Sequence, residues 1–177
     1  FEEADLEYLN SFSLICTSIN SHINPELPKL RPLKPYVAYD FSILETDEIF
    51  DAVCPHIDFA ITSCGDASME EIQRRCERIH QRGCRYVIAS RGKNGSVFSD
   101  GDHLFTHPAY LVEALDTLGA GDSFLTAFLL SFVEWLEGNH DPSELEGAVM
   151  AAMDAGSKFS AKTCMVHGAF GHGKQFE

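Results

Sequence analysis

The sequence predicts an α/β fold: a mostly parallel sheet with helices on both faces, a three-layer α/β/α arrangement. Three observations predict it. First, four short apolar runs, FSLICTS, YVAYDF, IDFAIT and RYVIAS, read as nearly continuous strands rather than alternating ones, the pattern of strands covered on both faces. Second, longer amphipathic segments separate them, giving the order β, α, β, α, β, α, β. Third, the 177 residues are 45% apolar and 11% aromatic. That supports one domain with a true core, here 1–177, and excludes a disordered chain.

The elements follow in order. Residues 12–18 form the first strand. Residues 25–33 read as a short helix, with Asn24 as its cap and Pro25 at its first position. Strands at 36–41 and 57–62 flank a helix at 46–53. A helix over 68–82 places Met69, Ile72, Cys76 and Ile79 at helical spacing and stops at Gly83. Residues 85–90 form the fourth strand. Asp100-Gly101 then joins 96–99 and 103–107 as a hairpin. Residues 120–137 are apolar almost all round and predict a buried helix. A last helix opens at Asp141-Pro142-Ser143-Glu144 and runs to about Ser160, before a tail rich in Gly and His.

In parallel sheets ligands sit beyond the carboxyl ends of the strands. The loops to watch are therefore Asp40-Phe41-Ser42, Ser63-Cys64-Gly65 and Arg91-Gly92. The net charge of −14 argues against nucleic acid and anionic membrane as partners. The longest apolar stretch, Phe124–Val133, is far short of the ~20 residues a bilayer span needs. The six cysteines form no C-x-x-C pair and no zinc spacing. They read as reduced, buried, small hydrophobes of a cytoplasmic protein. Seven of the thirteen Lys and Arg lie between Arg74 and Lys93. Arg74, Arg75, Arg78 and Arg82 read as the solvated face of a helix, whereas Arg91 and Lys93 sit in a glycine loop at a strand's end.

The chemistry concentrates in Asp116-Thr117-Leu118-Gly119-Ala120-Gly121-Asp122-Ser123-Phe124. This glycine-rich loop runs straight into the apolar helix. The first N–H groups of a helix have no internal partner, and the helix dipole adds positive character there. Gly119 and Gly121 allow a tight turn and close approach, so the segment makes an anion hole suited to phosphate. Asp122 stands in the first turn beside it, where a carboxylate can accept a proton from a substrate hydroxyl. No G-x-x-x-x-G-K-[ST] string is present.

The nine-residue string resembles the D-T-x-G-A-G-D-x-F signature of the ribokinase-like (PfkB) carbohydrate kinases. The resemblance implies ATP-dependent phosphorylation of a sugar hydroxyl. Asp122 then matches the catalytic base, and Gly119, Ala120, Gly121 and Asp122 match the anion hole. Asp116 and Thr117 match a conformational role that in several members includes a monovalent cation. Ser90-Arg91-Gly92-Lys93-Asn94-Gly95 resembles the family's (T/S)-x-G-x-x-G loop along the nucleotide phosphates, with Ser90, Gly92 and Gly95 at the matching positions. Residues 161–171 resemble the tail of bacterial fructoselysine 6-kinases, as does Ala38-Tyr39-Asp40-Phe41-Ser42. In the family that tail borders the adenine, which implies a nucleotide contact for His167.

Two departures accompany the resemblance. The family's N-x-x-E motif follows the strand ending near Thr62; here Ser63-Cys64-Gly65-Asp66 takes its place. Asp66 is the one residue there able to stand in for the glutamate toward Mg²⁺. The resemblance also spans only the later part of a family member. The expectation is a carboxyl-terminal, nucleotide-binding portion, with the amino-terminal strands and lid of the ribokinase-like fold missing and apolar sheet surface left exposed. The function implied is transfer of the γ-phosphoryl group of ATP to a primary hydroxyl of a fructosamine such as fructoselysine. Alternatives are another sugar (fructose, ribose, 2-keto-3-deoxygluconate, a nucleoside) or a non-catalytic nucleotide-binding module. The expected partners are the sugar and ATP with Mg²⁺, with a homodimer as an option for the intact protein.

Overall fold

The computed structural model describes residues 1–44, 46–138, 140–168 and 172. It has the expected α/β architecture. Strands β1 (Leu14–Ser18), β2 (Tyr36–Asp40), β3 (Phe59–Ser63), β4 (Tyr86–Ser90), β5 (Ser96–Ser99) and β6 (Leu104–His107) form one sheet in the order β1-β2-β3-β4-β5-β6. The first four are parallel, in registers such as Leu14↔Tyr36, Ala38↔Phe59 and Phe59↔Tyr86. The helices are α1 (Glu3–Leu9), α2 (Leu27–Leu30), α3 (Asp47–Val53), α4 (Met69–His80), α5 (Ala120–Glu137) and α6 (Leu145–Thr163).

Alternation along the strands divides the sheet into two faces. On one face Val37, Tyr39, Ala60, Val87, Ala89 and Val97 pack with Leu27 and Leu30 of α2, Phe50 and Val53 of α3, and Ile72, Cys76 and Ile79 of α4. The other face carries a row of rings, Tyr36, Phe59, Tyr86 and Phe98, with centroids 6.0, 4.9 and 5.7 Å apart from one to the next. The last three of these rings are buried.

The chain divides into two compact units. The first is residues 1–91 and 97–104; the second is residues 92–96 and 105 onward. In the second, α5 and α6 pack together through buried residues that include Phe124, Phe128, Phe132, Val149 and Met153.

Helix α4 follows its sequence signals closely. The Ser68 hydroxyl accepts from the Glu71 N–H at 3.3 Å, and the Glu71 carboxylate accepts from the Ser68 N–H at 2.8 Å. Gly83, at φ +96°, ends the segment.

Four expectations need correction. Helix α1 was not foreseen, because only Leu6 and Leu9 of that acidic stretch pack on the core. Asn24 does not cap a helix over 25–33: its side-chain oxygen accepts the Tyr39 hydroxyl at 2.7 Å, and a 3-10 turn (Asn24–Glu26) precedes the four-residue α2. Asp141 likewise opens a 3-10 turn (Pro142–Glu144), and α6 runs on to Thr163. All six cysteines are free, but only Cys54, Cys64, Cys76 and Cys84 are buried; Cys16 is exposed and Cys164 half-buried. Burial pushes the Cys54 and Cys76 thiols up to about 12, so they are inert at neutral pH.

Candidate functional site

The start of α5 is set by backbone geometry. Gly119 lies at φ +79°, ψ 2°, in the left-handed region, where a side chain would be strained. That conformation turns the chain sharply into the helix. The Ala120 N–H donates to the Thr117 carbonyl at 3.2 Å, and the Ser123 N–H to the Gly119 carbonyl at 2.9 Å. Among the described residues, the N–H groups of Gly121 and Asp122 between them have no hydrogen-bond partner. They lie at the positive end of an 18-residue helix.

A Cβ placed on Gly121 meets nothing within 4 Å. Glycine inside a helix costs up to about 1 kcal/mol relative to alanine, and no neighbour here requires it. The open side of the turn is thus a cradle that a Cβ would begin to fill, lined by two free donors. Asp122 is exposed at its edge, and its carbonyl accepts from the Thr126 hydroxyl at 2.8 Å.

The loop leading in is anchored to the end of α6. The Leu115 and Asp116 N–H groups donate to the Cys164 carbonyl at 2.8 and 3.4 Å. The Asp116 carboxylate accepts from the Leu118 N–H at 3.0 Å and the Gly168 N–H at 2.9 Å. The bond from Leu118, then that from Gly168, holds this carboxyl below its ordinary value, with His167 contributing more weakly. Asp116 therefore acts as a staple between loop and tail, and His167 lies exposed beside it.

Two supports were not anticipated from the sequence. The Ser123 and Thr163 hydroxyls share a buried hydrogen bond of 2.6 Å. Gly156 of α6 lets Phe124 approach: a Cβ there would lie 2.8 Å from the Phe124 ring. The readable signal was a small polar residue, Ser123, directly before the apolar run that opens with Phe124.

Gly92 and Gly95 belong to the same unit as this cradle. Gly92 (φ +54°) opens a 3-10 turn, Gly92–Asn94, and its carbonyl accepts the Gly95 N–H at 3.1 Å. Gly95 (φ +87°) packs so closely that a Cβ would overlap the His107 carbonyl oxygen. Conformation and close packing together demand glycine at 95, whereas at 92 the conformation favours it.

Ser90 and Asp66 lie in the other unit. The Ser90 carbonyl accepts the Cys64 N–H at 2.8 Å, joining the end of β4 to the loop after β3. Asp66 is exposed on that loop. Beside it, the Ser63 N–H donates to the carbonyl of Ser42, whose φ of +55° is unusual for a non-glycine residue. Arg75 departs from the expected solvated helix face. Half-buried, it donates to Thr62 Oγ1 at 3.2 Å and to Cys64 Sγ at 2.8 Å. Arg78 and Arg82 pair instead with Asp47 and Asp51. Among the described residues, no three of His, Cys, Asp and Glu converge on a point that could hold a metal ion. The described residues therefore do not fit a protein-built metal cage.

The family model described as "pfkB family carbohydrate kinase" matches residues 42–169. The chain is 34% identical to the fructosamine kinase FrlD of Bacillus subtilis over 98% of its own length and 57% of that protein's. It is 30% identical to the fructoselysine 6-kinase of Escherichia coli over 95% of its own length and 60% of that protein's. It thus spans well under two thirds of these relatives. A ribokinase of Arabidopsis thaliana, solved with ribose and ATP, superposes with a TM-score of 0.75 at 18% identity, covering 96% of this chain and 55% of that one. A ribokinase of Giardia lamblia gives 0.78 at 16% identity, covering 92% and 56%. The last two establish the shared fold. The family-model match and the two sequence relatives lead to one assignment: the chain belongs to the pfkB family of carbohydrate kinases.

Proposed function

We propose that this chain is the nucleotide-binding portion of a single-domain, ATP-dependent kinase that phosphorylates a primary hydroxyl of a fructosamine such as fructoselysine. The observation that carries the reading is the cradle at α5, with two unpaired N–H groups, space beside Gly121 and the Asp122 carboxylate at its rim. The two sequence relatives, named as fructosamine and fructoselysine kinases, support the substrate class.

In the proposed reaction, the Asp122 carboxylate accepts the proton of the sugar hydroxyl as its oxygen attacks the γ-phosphorus. The new P–O bond forms as the bond to the β-phosphate oxygen breaks, and ADP leaves. The N–H groups of Gly121 and Asp122 stabilise negative charge on the transferring group, while that of Ala120 is held by the Thr117 carbonyl. Gly92 and Gly95, with Ser90, line the nucleotide phosphates; His167 borders the adenine. Asp66 would face the Mg²⁺ bound to ATP, which would offset charge on the phosphates. Asp116 and Thr117 form the proposed neighbourhood of a monovalent cation. A cytoplasmic location and a homodimer of the intact protein belong to the same proposal.

The test is a phosphotransfer assay with ATP and a panel of fructoselysine, fructose, ribose, 2-keto-3-deoxygluconate and a nucleoside. Fructoselysine is expected to give the highest kcat/KM. Asp122→Asn is expected to lower kcat by roughly 10²–10⁴ while leaving ATP affinity similar. Equal turnover by wild type and variant sinks the base assignment. A different preferred sugar corrects the substrate. A second reading, a non-catalytic nucleotide-binding module, draws on Ser63-Cys64-Gly65-Asp66 standing where relatives carry N-x-x-E. ATP binding without ADP formation on any sugar would favour it.

A further inference from the structure

We infer that Arg75 is a positioning residue: it clamps the loop after β3 against the end of β4 and so sets where Asp66 and Ser90 stand. This rests on the function proposed above. Arg75 projects from α4, two turns beyond the capping Ser68, back to the carboxyl end of β3. Its guanidinium donates to Thr62 Oγ1 at 3.2 Å and to Cys64 Sγ at 2.8 Å. Thr62 Oγ1 and Cys64 Sγ are themselves 3.1 Å apart, closing a triangle at a nearly dry position; Thr62 is 0% and Cys64 7% exposed.

The triangle has two outlets. The Cys64 N–H donates to the Ser90 carbonyl at 2.8 Å, and the Cys64 carbonyl accepts the Ala67 N–H at 2.9 Å, closing the turn that carries Asp66. A second guanidinium, from Arg91, reaches the Ala67 carbonyl at 3.3 Å. The Cys64 main chain thus ties the acidic loop to the first residue of the Ser90–Gly95 segment, and Arg75 is the cation holding the Cys64 sulfur. Both acceptors are reached from a single guanidinium nitrogen, Nη1; lysine would keep the charge, but its ammonium stands one bond nearer the backbone and lacks the planar group. A shift of about 1 Å in a group contacting the nucleotide or its metal is enough to change a rate constant a hundredfold. A remote arginine is therefore expected to matter to one substrate and not to the other.

The experiment compares Arg75→Met, Arg75→Lys, Cys64→Ala and the Arg75→Met/Cys64→Ala double variant with wild type. Arg74→Met, on the exposed face of the same helix, is the control. Arg75→Met is expected to raise the KM for MgATP about tenfold and change the sugar KM less than about twofold, with Arg75→Lys in between. Cys64→Ala in the Arg75→Met background is expected to add little, because the two act through one contact. Amide exchange at Cys64 and Ala67 is expected to quicken in Arg75→Met and not in Arg74→Met. A parallel fall of all kinetic constants, or fully additive single effects, overturns the inference. So does unchanged exchange at those two amides. If wild type phosphorylates no sugar, the proposed reaction fails and the exchange measurement alone decides the clamp. If Arg75→Met does not fold, Arg75→Lys carries the same comparison.

Discussion

The loop after β3 and the loop before α5 solve the same problem by opposite means. The first, Ser63–Ala67, is held by side chains: two guanidiniums, a sulfur and a buried hydroxyl converge on it. The second, Leu115–Asp122, is held mainly by main chain, with the Asp116 carboxylate as its staple to the tail and the Thr126 hydroxyl on the Asp122 carbonyl. The first pairs the Ser63, Cys64 and Ala67 N–H groups with carbonyls. The second leaves two N–H groups pointing outward. A side-chain clamp gives a fixed shape that a distant substitution can release. A main-chain cradle gives donors that no substitution short of proline can remove, and its weak points are its glycines and its supports.

That contrast can be broken at the supports first. Ser123→Ala strands the buried Thr163 hydroxyl and is expected to cost about 1–3 kcal/mol in a denaturant titration. Ser123→Ala with Thr163→Val removes both partners and is expected to recover part of that loss. A double variant as damaged as the sum of the singles would show that the hydrogen bond is not the support.

The glycines come next, with opposite signs. Gly119→Ala forces a side chain into the left-handed region and is expected to destabilise by roughly 1–2 kcal/mol. Gly121→Ala should stabilise by up to about 1 kcal/mol, since it improves the helix and meets no atom of the chain. Yet it should weaken ATP binding, read by calorimetry, by intruding on the cradle. A Gly121→Ala protein that binds ATP normally would mean that nothing closely approaches that face.

The smallest expected effect sharpens the comparison by pH. Asp116 has its carboxyl held below the ordinary value of 3.8. A depressed folded value adds stability that is present above the unfolded value and is lost as pH falls through the folded one. Amide protection at Leu118 and Gly168 should therefore persist down to about pH 4 and fade below it. The Arg75 clamp carries a guanidinium that does not titrate in this range. After correction for intrinsic rates, protection at Cys64 and Ala67 should stay flat over the same interval. Simultaneous loss at both loops would mean that general acid unfolding, not the staple, is being measured.

The same difference governs what could be read from the sequence. The cradle was legible because its chemistry is local: Gly119, Gly121 and Asp122 stand within four positions of one helix start. The strands and α4 were legible for a like reason, since apolar runs and the Ser68 cap act over a few residues. The staple's second partner was not legible, because the Gly168 N–H lies 52 positions from Asp116. Arg75 was misread because helical spacing sorts residues by face and cannot tell a half-buried arginine from a solvated one. Asn24 carried a sound local capping signal, but the Tyr39 hydroxyl took its side chain. In each case a distant group overrode a local preference.

The strand order carries a consequence for how the molecule assembles. Every strand lies beside the one that precedes it in the chain, from β1 through β6. Among the described strands no pairing waits for a segment made much later, so contact order between them is low for a parallel architecture and the entropy of loop closure stays modest at each step. During synthesis, each new strand would meet a partner already emerged, and exposed edges would be short-lived.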